Sequence, residues 1–145
     1  MQTTARDILE KKGAGLISIQ KESPLLDAVK LMRAHKIGAI MVLGKNDSIE
    51  GIITERDILS AVDKSNGNIN DVSVDDLMTK NIIVAVPEDD IQYLMGIMSK
   101  NRIRHIPIVS KNKVTGLVSI RDIIALKMEE CELENRLLSD YIKGG

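Results

Sequence analysis

Aromatic side chains are almost missing from this 145-residue chain, which has two tyrosines and neither phenylalanine nor tryptophan. Proteins that hold single nucleic-acid strands stack bases on aromatic faces, so that mode is excluded. Binding to a phosphate backbone is excluded by charge: 20 Lys and Arg against 21 Asp and Glu leave a net charge of −1. With so few aromatics, any purine bound here must lie between aliphatic side chains. Cysteine is reduced to Cys131, which rules out an intramolecular disulfide and a thiolate metal cluster. The longest apolar run, Ile37 to Leu43, falls far short of the ~20 residues a membrane-spanning helix needs. The opening segment MQTTARDILEKK is charged early and lacks the apolar centre of a secretory signal, so a cytoplasmic location is the default expectation. What remains is a chain 43% hydrophobic, enough for one compact domain or two small ones sharing a core.

What is present is written twice. GIITERDIL, from Gly51, returns as GLVSIRDII from Gly116. Leu25, Ala28, Val29 and Met32 follow the i, i+3, i+4, i+7 spacing of a helix with one buried face, and Ile91, Leu94, Met95 and Met98 repeat it. Ser23 and Pro24 predict a helix start, an N-cap followed by proline at the first helical position. At the matching point Asp89 and Asp90 suit the positive end of a helix. The runs Ile40–Leu43 and Ile106–Val109 read as buried strands, with Pro107 marking an edge or a bulge. A polar turn follows each, Gly44–Ser48 and Ser110–Lys113, the second one residue shorter. Strands led by Gly51 and Gly116 then run into helices. Upstream, Asp7-Ile8-Leu9 corresponds to Asp76-Leu77-Met78, the first half carrying extra residues in its Gly13-Ala14-Gly15 loop. Each half therefore reads helix, strand, helix, strand, strand, helix. The polar KSNGNIN segment divides them near residue 70, giving repeats at 1–70 and 71–130 and a tail at 131–145.

The duplicated element carrying chemistry is Thr54-Glu55-Arg56-Asp57, matched by Ser119-Ile120-Arg121-Asp122. Its plain reading is a capping box, which satisfies free backbone N–H groups and needs no ligand. The same tetrad occurs at Thr4–Asp7, Ser60–Asp63 and Ser73–Asp76, so on pattern alone capping is the stronger reading. Placement adds a second one. Both copies follow a glycine-led strand and open a helix, where N–H groups and positive potential favour an anion. A carboxylate there can accept both hydroxyls of a ribose, the Ser or Thr oxygen can reach ribose or phosphate, and Arg56 and Arg121 can donate to phosphate.

At these corners the chain resembles a pair of cystathionine-β-synthase (CBS) domains, the tandem often called a Bateman module. The resemblance runs from Ala5 to about Ala125. It rests on Asp76-Leu77-Met78-Thr79, the Ala28 to Met32 helix, the Arg104-His105-Ile106-Pro107-Ile108-Val109 strand and both glycine-to-Arg-Asp corners. It implies a mixed α/β (α+β) fold, two β-α-β-β-α repeats packed around a pseudo-twofold axis with a cleft on either side. It also implies adenosine compounds as ligands (AMP, ADP, ATP, NAD or S-adenosylmethionine), held by Thr54 and Asp57 and by Ser119 and Asp122. By the same resemblance Ser18 on the first strand and the basic pair Arg104-His105, followed by Pro107, join the ligand-binding set. Repeat one has Gly38-Ala39 where repeat two has Arg104-His105, and Val84, suited only to packing, where repeat one has Ser18. The two sites are therefore expected to be unequal.

The tail places Ile124, Met128, Cys131, Asn135, Leu138 and Ile142 at alternating steps of four and three, a coiled-coil seam or a helix packed on its own chain. Met32, Met95 and Met98 read as core filler, Cys131 as packing, and His35 as a surface group at a helix end. An enzyme is disfavoured by two His, one Cys and the lack of any nucleophile–base or metal-ligand spacing. The leading expectation is a regulatory module with an adenosine nucleotide as ligand, no separate cofactor or metal, a homodimeric state, a protein partner in trans, and neither nucleic acid nor membrane as partner. The alternative is a structural dimerisation module with empty clefts.

Overall fold

A computed structural model describes residues 2–13 and 15–144; Ala14, in the predicted glycine-flanked loop, lies outside the described residues. Repeat one consists of α1 (Ala5–Lys12), β1 (Ser18–Gln20), α2 (Leu25–His35), β2 (Ala39–Leu43), β3 (Ile49–Thr54) and α3 (Glu55–Lys64). Repeat two consists of α4 (Val74–Leu77), α5 (Ile91–Asn101), β4 (His105–Ser110), β5 (Lys113–Ser119) and α6 (Ile120–Gly144). The first sheet runs β1-β2-β3, with β1 parallel and β3 antiparallel to β2; the second is the antiparallel pair β4-β5.

The first strand expected in repeat two is reduced to a single parallel bridge between Ala85 and Ile108. Two hydrogen bonds make it, Ala85 N–H to the Pro107 carbonyl and Val109 N–H to the Ala85 carbonyl. The next donors along a parallel ladder would be Pro107 on one side and Pro87 on the other, and proline has no N–H. Val84 is consequently 43% exposed rather than packed.

The repeats exchange their leading helices. Ala5 and Ile8 of α1 are buried with Ile91, Leu94, Met98, Ile106 and Ile108 of repeat two. Val74 and Met78, around α4, are buried with Leu25, Ala28, Met32, Ile40 and Val42 of repeat one. The spatial units therefore differ from the division of the chain at residue 70. This exchange also overrides the expected Ser23 cap. Helix α2 has Pro24 at its N-cap, with no side-chain cap bond, and the free N–H of Leu25 goes instead to the Val72 carbonyl at 2.8 Å. Ile91 N–H likewise reaches the Thr3 carbonyl at 3.0 Å, while Asp90 caps α5 by accepting from Tyr93 N–H.

The exchange explains why each repeated strand carries a glycine. A Cβ on Gly51 would lie 2.8 Å from Met78 Sδ and 2.9 Å from the Thr79 carbonyl oxygen; one on Gly116 would lie 2.7 Å from a Leu9 methyl. Each glycine is the floor on which the other repeat's leading segment rests. Strand β2 is buried along its whole length. Ile40 and Val42 face α2, whereas Ala39, Met41 and Leu43 meet Ile52 and, from repeat two, Ile82, Val114 and Leu117. That cluster joins the two repeats along the pseudo-twofold axis. Met32 and Met98 are core residues, as expected.

Candidate functional site

Both repeated tetrads form capping boxes at strand-to-helix corners, and both boxes face a cleft. Thr54 ends β3 and caps α3: its N–H donates to Asp57 Oδ2 at 2.9 Å, and Asp57 N–H donates back to Thr54 Oγ1 at 3.4 Å. Ser119 ends β5 and opens α6 with the same exchange, 2.9 Å to Asp122 Oδ2 and 3.1 Å from Asp122 N–H. Strand pairing sets each corner against the first residue of the preceding strand, Thr54 opposite Ala39 and Ser119 opposite His105. The first helical N–H is held alike in both copies, Glu55 to the Gly38 carbonyl at 3.1 Å and Ile120 to the Arg104 carbonyl at 2.8 Å. The cheap tetrad was a good predictor of caps: Thr4–Asp7 and Ser73–Asp76 are capping boxes too. Ser60–Asp63 lies inside α3 and opens no helix.

The first cleft encloses about 390 Å³ and is lined by Thr54, Arg56, Asp57, Arg104, His105 and Pro107 of the expected set. Thr79 donates its hydroxyl to Asp57 at 3.3 Å, and Arg56 donates to the Arg102 carbonyl at 3.4 Å across the cleft. Ile82, Ile83 and the 70%-exposed Leu59 supply its aliphatic walls. The second cleft, of about 610 Å³, is lined by Ser119, Arg121 and Asp122, and again by Arg104 and His105. Here Lys12 of the exchanged helix sits 3.0 Å from Asp122 Oδ2 and donates to the Leu117 carbonyl at 2.8 Å. Leu16 and Ile17 form its aliphatic wall, at the positions Ile82 and Ile83 take in the first. Volumes of this order match small-molecule sites, and the aliphatic walls suit a purine in a chain without aromatic platforms.

Ser18 is the exception. It is exposed on β1, paired with Met41, and is not among the described residues lining either cleft. The chain forms the cleft wall at Leu16 and Ile17, before the ladder begins, and Ser18 follows as the first residue of β1. Four contributors were not assigned from sequence: Lys12, Gly38, Glu55 and Thr79. Thr79 closes the Asp76-Leu77-Met78-Thr79 segment that carried the resemblance; the other three acquire meaning through contacts between repeats.

His105 is half-buried and its pKa lies below the ordinary 6.5. Burial is the main cause; the carboxylates of Glu55 and Asp122 oppose it, and Lys12 and Arg104 add to the lowering. His35, exposed at the end of α2, lines the rim of the second cleft. Among the described residues, no cluster of three His, Cys, Asp or Glu could hold a metal ion, and no helix is long and apolar enough to cross a membrane.

A family model described as CBS domain matches the chain twice, over residues 5–64 and 74–129. The chain belongs to the CBS-domain family and is a tandem CBS pair, a regulatory module. It is 34% identical over 151 residues to the CBS domain-containing protein CBSX3, mitochondrial, of Arabidopsis thaliana, covering 99% of this chain and 73% of that protein. Among solved structures, the CBS-domain containing protein ATU1752 from Agrobacterium tumefaciens superposes with a TM-score of 0.83 and 31% identity, over 88% of this chain and 95% of that one. The CBS domain pair of protein MJ0100, solved in complex with 5′-methylthioadenosine and S-adenosyl-L-methionine, superposes with a TM-score of 0.79 and 26% identity, over 90% and 99% of the two chains.

Proposed function

We propose that this CBS pair is a sensor that binds adenosine compounds in its two clefts and passes the change in occupancy to a protein partner in trans. The observation that supports it is the duplicated corner: a carboxylate held by its own helix start, at the positive end of that helix, on the wall of an aliphatic cleft. Such a carboxylate accepts from ribose hydroxyls, and the arginines beside it donate to phosphate. The MJ0100 pair, with two adenosine compounds bound, makes the class a reasonable one. A nucleotide here is a regulatory ligand and not a cofactor, and no catalytic role is assigned to any residue. A homodimeric assembly and a cytoplasmic location belong to the same proposal; the Arabidopsis relative is mitochondrial by name, so cell fractionation tests the second.

A structural dimerisation module is the second reading, favoured by one observation: each corner carboxylate already has protein partners, Thr79 at Asp57 and Lys12 at Asp122. A thermal-shift titration of nucleotide-free protein with AMP, ADP, ATP, NAD and S-adenosylmethionine separates them. A ligand at 100 times its Kd stabilises the fold by about 2.7 kcal/mol, a rise of several degrees. The sensor reading expects that rise with at least one compound, diminished in Asp57→Ala or Asp122→Ala and lost when both are changed. Those variants alone lose about 1 kcal/mol of capping energy each. No rise with any compound leaves the structural module.

A further inference from the structure

The two clefts are not separate. Gly38, Glu55, Arg104 and His105 line both of them and so form the wall between them. Repeat one contributes the small residue and the acid, and repeat two the two bases. A Cβ on Gly38 would lie 2.8 Å from Glu55 Oε1 and 3.2 Å from His105 Nε2, so the missing side chain leaves the space that the carboxylate and the imidazole both border. The positions related to Arg104 and His105 by the repeat are Gly38 and Ala39, and neither carries a donor side chain. The wall therefore has one arginine and one histidine for two clefts.

We propose that Arg104 and His105 form a single phosphate-binding element for which the two clefts compete, so that an anionic adenosine ligand in one cleft weakens binding of a second in the other. The inference rests on the reading of both clefts as adenosine sites and adds their regulation. An Arg104 guanidinium engaged by one phosphate is turned away from the other cleft, and the single N–H of a neutral His105 imidazole, once donated to one phosphate, is not available to a second. Neutral adenosine makes no claim on either base, so its two binding events are independent.

Calorimetric titrations of AMP and of adenosine into nucleotide-free protein test this, using wild type, Asp57→Asn and Asp122→Asn as single-cleft references, and Arg104→Gln/His105→Gln. The single-cleft variants give each cleft's own Kd. Competition predicts that the second AMP binds wild type at least about fivefold more weakly than the weaker of those two values, while adenosine binds wild type as the two separate sites. In Arg104→Gln/His105→Gln the coupling disappears and the preference for AMP over adenosine shrinks to what Arg56 and Arg121 supply in each cleft. Wild-type AMP binding equal to the two single-cleft values overturns the competition and leaves the sensor reading standing, as does coupling that survives the double substitution. Binding of neither compound, in protein whose thermal melt shows it folded, overturns both. If a corner variant fails to fold, the contrast between AMP and adenosine in wild type and in Arg104→Gln/His105→Gln decides the matter.

Discussion

Lys12, the last residue of α1, holds its ammonium 3.0 Å from Oδ2 of Asp122 at the corner of the opposite repeat. The exchanged helix thus brings a cation of the chain to the carboxylate of the second cleft, whereas the first cleft's Asp57 accepts, beyond its own capping box, from the neutral hydroxyl of Thr79. The two corners therefore differ in the charge set against their carboxylates. A ribose at Asp122 must share that carboxylate with Lys12 or displace it.

Lys12→Met keeps the packing stem and removes the charge. The pair is partly solvent-exposed, so the expected loss of stability is at most about 1 kcal/mol, read as a drop in Tm that shrinks in high salt. Binding of neutral adenosine to the second cleft, measured in the Asp57→Asn background, should tighten. Unchanged or weaker adenosine binding would show that Lys12 does not compete with the ribose.

The two repeat glycines should differ in what they tolerate. At Gly51 an added methyl meets the Thr79 backbone carbonyl as well as Met78, whereas at Gly116 the nearest atoms all belong to the Leu9 side chain. Gly51→Ala is expected to cost about 2–3 kcal/mol and Gly116→Ala about 1 kcal/mol, by urea unfolding. Equal costs would mean that the segment after α4 yields as easily as a leucine rotamer.

His105 makes stability depend on pH. Its pKa is lowered in the folded chain, so the unfolded chain takes up the proton first as pH falls. The stabilisation is complete above the ordinary value of 6.5. It is lost progressively between that value and the lower folded one, and is constant below. The charged groups around it are Glu55, Asp122, Lys12 and Arg104. Melting temperature should therefore fall between pH 7.5 and 5.5 in wild type and fall less in His105→Gln; identical slopes would place the proton uptake elsewhere.

The tail is dispensable for the monomer's own core. Helix α6 runs without interruption from the second corner, its last core residue is Ile123, and residues 127–144 are exposed. Cys131 is exposed as well, against the expectation that it packs, and among the described residues no seam position belongs to a core cluster. Removing residues 130–145 should move Tm by no more than about 2 °C, because it breaks no core contact. If the seam pairs two copies, the mass by sedimentation falls by half; an unchanged mass places the dimer contact elsewhere.

Much of this was legible in the chain. Helix faces repeat with a period of 3.6, buried strands announce themselves as short apolar runs, and a Thr or Ser three residues before Asp caps a helix by geometry that needs no distant partner. Those features depend on neighbours in sequence, so duplication, the two corners and the cleft-facing carboxylates could all be placed by residue number. The failures share the opposite cause. Ser23 is not the cap because Val72 supplies a carbonyl, and Ser18 misses the clefts because the wall is built by the residues before its strand. The missing strand at Val84 is a middle case, since Pro87 and Pro107 were visible but their alignment with Ile83 and Val109 was not.

By itself, then, the sequence determined two copies of one α/β unit, their elements and two corners with a Ser or Thr and an Asp apiece. Only the tertiary structure decided that the leading helices are exchanged, that Lys12 lands on Asp122, and that Arg104 and His105 stand between two clefts. Local hydrogen bonds and periodic burial are encoded over a few residues. A wall shared across a pseudo-twofold axis exists only once both repeats have packed and Gly38 has left room for Glu55 and His105 on either side of it.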